Sequence, residues 1–168
     1  MDFNYAEEQQ LLKDAVEKFL DKNYTFDQRR QIIGSREGIS AAAWEGFASM
    51  GLLGVPIPQE FGGFGGGGVD VMVVMEALGR ALVVEPYLST VVLAGSTIAL
   101  GGSAAQRQIL LPRIADGSMK FAFAHTEPGT RWELNRVQTT ARQEGGMWVI
   151  DGHKSVVLHG GVADLLIV

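Results

Sequence analysis

"SAAQRQILLPRIADGSMKFAFAHTEPG", Ser103 to Gly129, changes its period halfway along. The first half opens on Ser103, a good N-cap residue, and reads as a helix bent or ended near Pro112. The second half is an apolar, strand-like run, Phe121 to Thr126, stopped abruptly by Glu127, Pro128 and Gly129. The fold divides at this point. Residues 1–117 are expected to form a helical domain and residues 118–168 the beginning of a β domain. By content the class is α+β: an all-α N-terminal bundle followed by the start of a small antiparallel β-barrel.

Upstream, Asn4 followed by Glu7 has the spacing of a capping box, and Leu12, Val16, Phe19 and Leu20 then recur at helical spacing. A first amphipathic helix is expected over about residues 5–22. Ser40 precedes "AAAWEGFASM", where Trp44 and Phe47 share a face and Gly51 supplies a left-handed stop. "VDVMVVMEALGRALV" is apolar almost all round, with Glu76 and Arg80 at i, i+4, and belongs in the middle of a bundle. Leu88 to Leu100 is a further apolar helix. Its 13 residues fall short of the roughly 20 a membrane span needs.

Downstream, "RVQTTARQ" alternates, Glu144-Gly145-Gly146 turns the chain, and "MWVIDG" runs to a second turn at Asp151-Gly152. "KSVVLHG" and "DLLIV" supply two more short apolar runs, read as strands. The chain stops at Val168 inside the last of them, so a fragment of a longer protein is expected.

Composition narrows the function. The 168 residues carry a net charge of −5, which argues against a phosphate-backbone partner, so no nucleic acid is expected. There is no cysteine, which removes thiolate nucleophiles, disulfides and iron–sulfur clusters. The acidic N-terminus lacks a signal-peptide pattern, and a cytoplasmic location is the default. Gly63, Gly65 and Gly68 satisfy the G-x-G-x-x-G spacing of a dinucleotide turn, but Pro56 and Pro58 break any strand that would feed it. Those glycines read as a flexible loop between helices. His125, His153 and His159 lack metal-ligand spacing, so no metal is expected.

In order and spacing, three motifs resemble the acyl-CoA dehydrogenase family. "GLLGVPIPQEFGGFGGG" is similar to the family's G-L-x-G-x-x-x-P-x-E-x-G-G segment, "QILLPRIADGSMKFAFAHTEPG" to its L-P-x-x-x-x-G followed by A-x-T-E-P-G, and "WVIDGHKSVVLHGGVADLLIV" to its G-x-K turn and the strand after it. More narrowly, "MDFNYAEEQQLLKDAVEKFL", "FAHTE" and "KSVVLHG" look like the small subunits of heteromeric members, such as those described as pimeloyl-CoA dehydrogenase small subunits.

The resemblance implies FAD held against the middle domain, α,β-desaturation of an acyl-CoA thioester, electrons passed to an electron-transfer flavoprotein, and an oligomer with copies or a paralogous subunit. It also implies a C-terminal helical domain, absent here, that carries the catalytic base; no catalytic residue is assigned, and the chain alone is not expected to turn over. By the same resemblance Phe123, Ala124, His125 and Thr126 meet the flavin edge, with the Thr126 hydroxyl donating to its pyrimidine side. Val156, Val157 and Leu158 occupy the later flavin-facing strand, and Arg131 and Trp132 lie where ligand phosphates or the pocket wall would be.

Two departures stand out. The family's small G-S-D loop is replaced by Arg131, Trp132 and Glu133, and its Trp-Ile-Thr or Trp-Ile-Ser by Val156, Val157 and Leu158, which offer no hydroxyl. A non-catalytic partner subunit of a heteromeric enzyme is therefore the alternative, with a free-standing helical interaction domain a third.

Overall fold

A computed structural model describes residues 4–130, 133 and 135–168. Among these residues six α-helices run in chain order: α1 (Glu7–Asn23), α2 (Phe26–Ile33), α3 (Ala41–Ser49), α4 (Gly68–Arg80), α5 (Gly95–Gly101) and α6 (Ala104–Ala115). A π-helical segment, Tyr87–Ala94, leads directly into α5. Four short strands follow: β1 (Phe121–Phe123), β2 (Thr140–Glu144), β3 (Met147–Asp151) and β4 (Leu165–Ile167). The expected order, helices first and strands after, is what the chain adopts.

The helices share one core. Val16 and Leu20 of α1, Trp44 and Phe47 of α3, Val74 and Ala77 of α4, Tyr87 and Val91 of the π-helix, and Leu111 and Ile114 of α6 are all buried in a single cluster. Phe19 meets Phe47 edge-on, with ring centroids 5.8 Å apart. Two buried polar tips tie the helices through backbone carbonyls: Trp44 Nε1 donates to the Gly117 carbonyl at 2.9 Å, and the Tyr87 hydroxyl to that of Leu52 at 3.1 Å. Both satisfy groups whose burial unpaired would be unfavourable.

Several local expectations hold. Ser40 caps α3 by accepting from the Ala43 amide at 3.1 Å, and Gly51 follows it at φ 75°. Ser103 and Gln106 form a full capping box on α6.

Others are corrected. The cap of α1 is Ala6, two residues beyond Asn4; its amide donates to Gln9 Oε1 at 3.1 Å, but its methyl offers no acceptor, so only the return half of a capping box is made. Glu76 and Arg80 do not pair with each other: Glu76 accepts from Lys13 Nζ at 2.9 Å and from the Tyr5 hydroxyl at 2.7 Å, while Arg80 reaches Glu17 at 3.0 Å. Both side chains are drawn across to α1, packed alongside. Pro112 lies inside α6, which continues to Ala115. "KSVVLHG" is not a strand; it is an irregular segment entering a turn at Leu158.

The strands form two separate pairs. β2 and β3 make the expected antiparallel hairpin, with Glu144 opposite Met147 and the turn glycines Gly145 and Gly146 at φ 57° and 82°. Two positive φ values in a two-residue turn match the right-handed twist of the strands. β1 pairs with β4 in parallel, Phe121 opposite Leu165. Phe121 also belongs to the helical core, so β1 is packed on the bundle as well as paired within the β region.

Thr90 fixes that junction. Its hydroxyl donates to the Phe121 carbonyl at 2.9 Å and accepts from the Phe121 amide at 3.0 Å. The π-helix thus supplies the partner that an edge residue of β1 would otherwise lack.

Candidate functional site

The site grows from the C-terminal end of β1. The Ala124 amide donates to the Ile167 carbonyl at 2.7 Å, continuing the β1–β4 ladder by one residue, and Ala124 is buried. Strand alternation then turns the Phe123 and His125 amides to the opposite edge, the one that Thr90 caps at Phe121. Phe123 and His125 share a side and stack, with centroids 5.5 Å apart and planes 14° from parallel. Thr126, the next residue, is exposed.

A tight turn removes the chain immediately afterwards. The Thr130 amide and hydroxyl both donate to the Glu127 carbonyl, at 3.3 and 2.9 Å. Pro128 is at the second position of this turn and Gly129, at φ 84°, at the third, which is type II chemistry. Thr126 is left exposed at the strand end, just before this turn.

The second candidate segment arrives alongside. The Ser155 amide donates to the Thr126 carbonyl at 2.8 Å, which places Val156, Val157 and Leu158 next to the end of β1 although about thirty residues separate them in the chain. Val156 and Leu158 are exposed, Val157 half-buried. Among the described residues only Leu82, Val156 and His159 combine a side chain with positive φ, and two of those three flank Val157–Leu158. For a β-branched residue such as Val156, at φ 52°, the left-handed region is unfavourable by about 1–2 kcal/mol. Strain of this kind persists only where surrounding contacts hold it. The predicted positions Arg131 and Trp132 lie outside the described residues.

Beneath both segments sits Glu127, 3% exposed. Its carboxylate accepts from Lys154 Nζ at 2.8 Å, the Thr139 hydroxyl at 2.6 Å, the Thr139 amide at 3.0 Å and the Gln138 amide at 2.6 Å. Lys154 also donates to the His125 carbonyl at 3.4 Å. The Lys154 ammonium, then the Thr139 hydroxyl and the Gln138 amide, pull the Glu127 carboxyl down to about 2. One carboxylate therefore gathers the end of β1, the entry to β2 and the entry to the Val156–Leu158 segment. Sequence reasoning passed over its role. The signal available was the acid of T-E-P-G and the base of G-x-K, opposite charges carried by two motifs 27 residues apart.

His159 is one of the three histidines whose spacing suggests no metal. It is hydrogen-bonded, and to the helical part of the chain: Nε2 lies 3.1 Å from the Val84 carbonyl and Nδ1 3.0 Å from Ser89 Oγ. Among the described residues no group of three or more His, Cys, Asp or Glu is arranged to hold a metal. None of the described helices is long and apolar enough to cross a membrane.

The test for a flavin at this site is chemical. An isoalloxazine edge needs hydrogen-bond donors at a water-accessible strand end with the following chain held clear. Thr126 is exposed and carries a hydroxyl donor, the chain turns at once at Pro128–Gly129, and the residues fit the group. The Val156–Leu158 segment contributes apolar surface and no side-chain donor.

Comparisons with known proteins point the same way. The family model for the acyl-CoA dehydrogenase N-terminal domain matches residues 6–118. Acyl-CoA dehydrogenase FadE12 of Mycobacterium tuberculosis is 35% identical over 161 residues, covering 90% of this chain and 39% of the relative. Among solved structures, the ChsE4-ChsE5 complex from Mycobacterium tuberculosis superposes with a TM-score of 0.89 at 27% identity, over 100% of this chain and 45% of that one. An acyl-CoA dehydrogenase complexed with FAD from Bacillus anthracis does so at 0.86 and 26% identity, over 98% and 29%. The chain spans less than half the length of these relatives.

Proposed function

The chain belongs to the acyl-CoA dehydrogenase family, and from that premise we propose that it is the N-terminal part of an FAD-dependent subunit that desaturates an acyl-CoA thioester at its α,β bond. The observation that carries this reading is the Ser155–Thr126 hydrogen bond, which sets two segments distant in sequence side by side at one accessible strand end. The flavin, when bound, supplies the hydride acceptor. This chain's contribution is to hold it: the Thr126 hydroxyl and the strand-end amides toward the ring edge, Val156–Leu158 as an apolar wall, Glu127 and Lys154 as the support behind both. The domains proposed are 1–117, helical, and 118–168, the start of the middle β domain. Electron delivery to an electron-transfer flavoprotein and assembly with a paralogous subunit complete the proposal; the ChsE4-ChsE5 complex, a two-protein assembly of the same fold, supports the second.

One observation favours a second reading, a non-catalytic partner subunit. Val156, Val157 and Leu158 offer no hydroxyl to a flavin, and Val156 and Leu158 are exposed. An absorbance spectrum of the full-length protein, alone and co-expressed with a paralogous subunit, followed by addition of acyl-CoA, separates the two. A flavin band bleached by acyl-CoA is expected, and Thr126→Val is expected to weaken FAD binding about fivefold, the worth of one hydrogen bond. No flavin in either preparation transfers the chain to the non-catalytic class.

A further inference from the structure

We propose that His159 is a positioning residue that latches the Val156–Leu158 segment to the helical domain. The latch is a matter of geometry; its bearing on the flavin rests on the function proposed above. The segment and the residue after it include two in the left-handed region, Val156 at φ 52° and His159 at φ 58°, and something must hold them there. Among the described residues its internal bonds are turn bonds: the Gly160 amide to the Val157 carbonyl at 3.1 Å and the Val162 amide to the His159 carbonyl at 3.1 Å. These close the turn without attaching it to anything.

Besides the Lys154–Glu127 pair at its entry, attachment comes from two places. On the β side it is the Ser155 amide on the Thr126 carbonyl, at 2.8 Å. On the helical side it is the His159 ring, which reaches the stretch joining α4 to the π-helix. The Val84 carbonyl can only accept, so Nε2 carries a proton and donates to it. In the neutral ring Nδ1 is then the acceptor, and the Ser89 hydroxyl donates to it across 3.0 Å. Ser89 is fully buried, and its alternative partner, the Pro86 carbonyl, is more distant at 3.3 Å.

The neighbouring residue completes the arrangement. Ser89 holds the Val156–Leu158 segment through His159, and Thr90 holds β1 through both polar groups of Phe121. Two consecutive buried residues of the π-helix thus set the relative position of the two halves of the candidate site. A segment with backbone strain and few bonds of its own takes its placement from this latch.

The test uses the full-length protein and two variants. His159→Asn keeps a residue type that tolerates positive φ but is too short to bridge both partners. Ser89→Ala removes one partner from the helical side and leaves the segment's own sequence intact, so it serves if His159→Asn fails to fold. In flavin-free protein, amide hydrogen exchange at Ser155, Gly160 and Val162 is expected to speed up about tenfold in either variant. FAD, titrated as the probe, is expected to bind about tenfold more weakly, and the double variant is expected to be no worse than His159→Asn. Exchange unchanged in both variants overturns the latch. Faster exchange with undiminished FAD affinity overturns its role at the site. Wild-type protein that takes up no FAD instead removes the flavin reading, and the exchange result then decides the latch alone.

Discussion

Replacing Glu127 by alanine is expected to free the β2–β3 hairpin from the end of β1 and to abolish flavin retention, while the helical domain stays folded. The substitution strips the acceptor from Gln138, from the amide and hydroxyl of Thr139, and from Lys154. It leaves the Lys154 ammonium, whose side chain is 13% exposed, without its carboxylate. Breaking one half of a buried pair is worse than removing both, because the survivor keeps its desolvation and loses its partner. The hairpin shares no ladder with β1–β4 among the described residues, so little else replaces the lost tie.

Glu127→Gln separates shape from charge, because the amide keeps an acceptor for Thr139 but not the ion pair. The carboxyl is lowered from 4.5 to about 2 on folding, so its contribution is present in full above about 4.5 and disappears as the pH falls through about 2. The stability advantage of wild type over Glu127→Gln should therefore be constant at neutral pH and shrink across that acid window. Flavin content, hydrogen exchange over Thr140–Asp151 and denaturation at several pH values read the three effects. Wild-type flavin content and unchanged hairpin protection in Glu127→Ala would end the argument that this carboxylate assembles the site.

What the sequence disclosed and what it hid follow from range. Ser40, Ser103 and the Gly145-Gly146 turn act on residues three or fewer away, so their structures could be read directly. Glu76 and Arg80 have the right spacing to pair along α4, yet Lys13 and Glu17 on α1 and Tyr5 just before it take their place. No i, i+4 rule contains that competition. "KSVVLHG" has a strand's composition, but the His159 side chain and the Ser155 amide are engaged by Val84, Ser89 and Thr126, and the backbone turns instead of pairing.

The candidate site was legible in the same uneven way. The family resemblance selected both segments, and the Ser155–Thr126 bond puts them side by side. The residues that bring them there, Glu127, Lys154, Ser89, Thr90 and His159, act across 27 to 75 positions. Pattern within one stretch cannot display a partner at that distance.

Gly63→Ala is expected to destabilise the protein by about 3 kcal/mol, as a small-to-large change in a packed site does when the obstacle is backbone. A Cβ at Gly63 would overlap the Ile57 carbonyl oxygen and crowd the Gly54 carbonyl at 2.6 Å. Neither can retreat. The loop is laced to that segment by the Phe64 amide on the Gly54 carbonyl at 2.9 Å, Gly65 on Ile57 at 2.8 Å and Gly66 on Val55 at 2.7 Å. Ile57 and Leu53 are buried in the core.

Two neighbouring glycines give the contrast. Gly62 sits at φ 84° with open space around its Cβ position, so Gly62→Ala should cost only the left-handed penalty, about 1 kcal/mol. Gly68 opens α4 with nothing within 4 Å, and Gly68→Ala should stabilise by about 0.5 kcal/mol through the unfolded chain. The order of thermal midpoints, Gly68→Ala above wild type, then Gly62→Ala, then Gly63→Ala far below, follows only if this run of glycines exists for close backbone approach. A flexible linker would tolerate all three alike. If Gly63→Ala melts no lower than Gly62→Ala, the packing account of the loop is wrong.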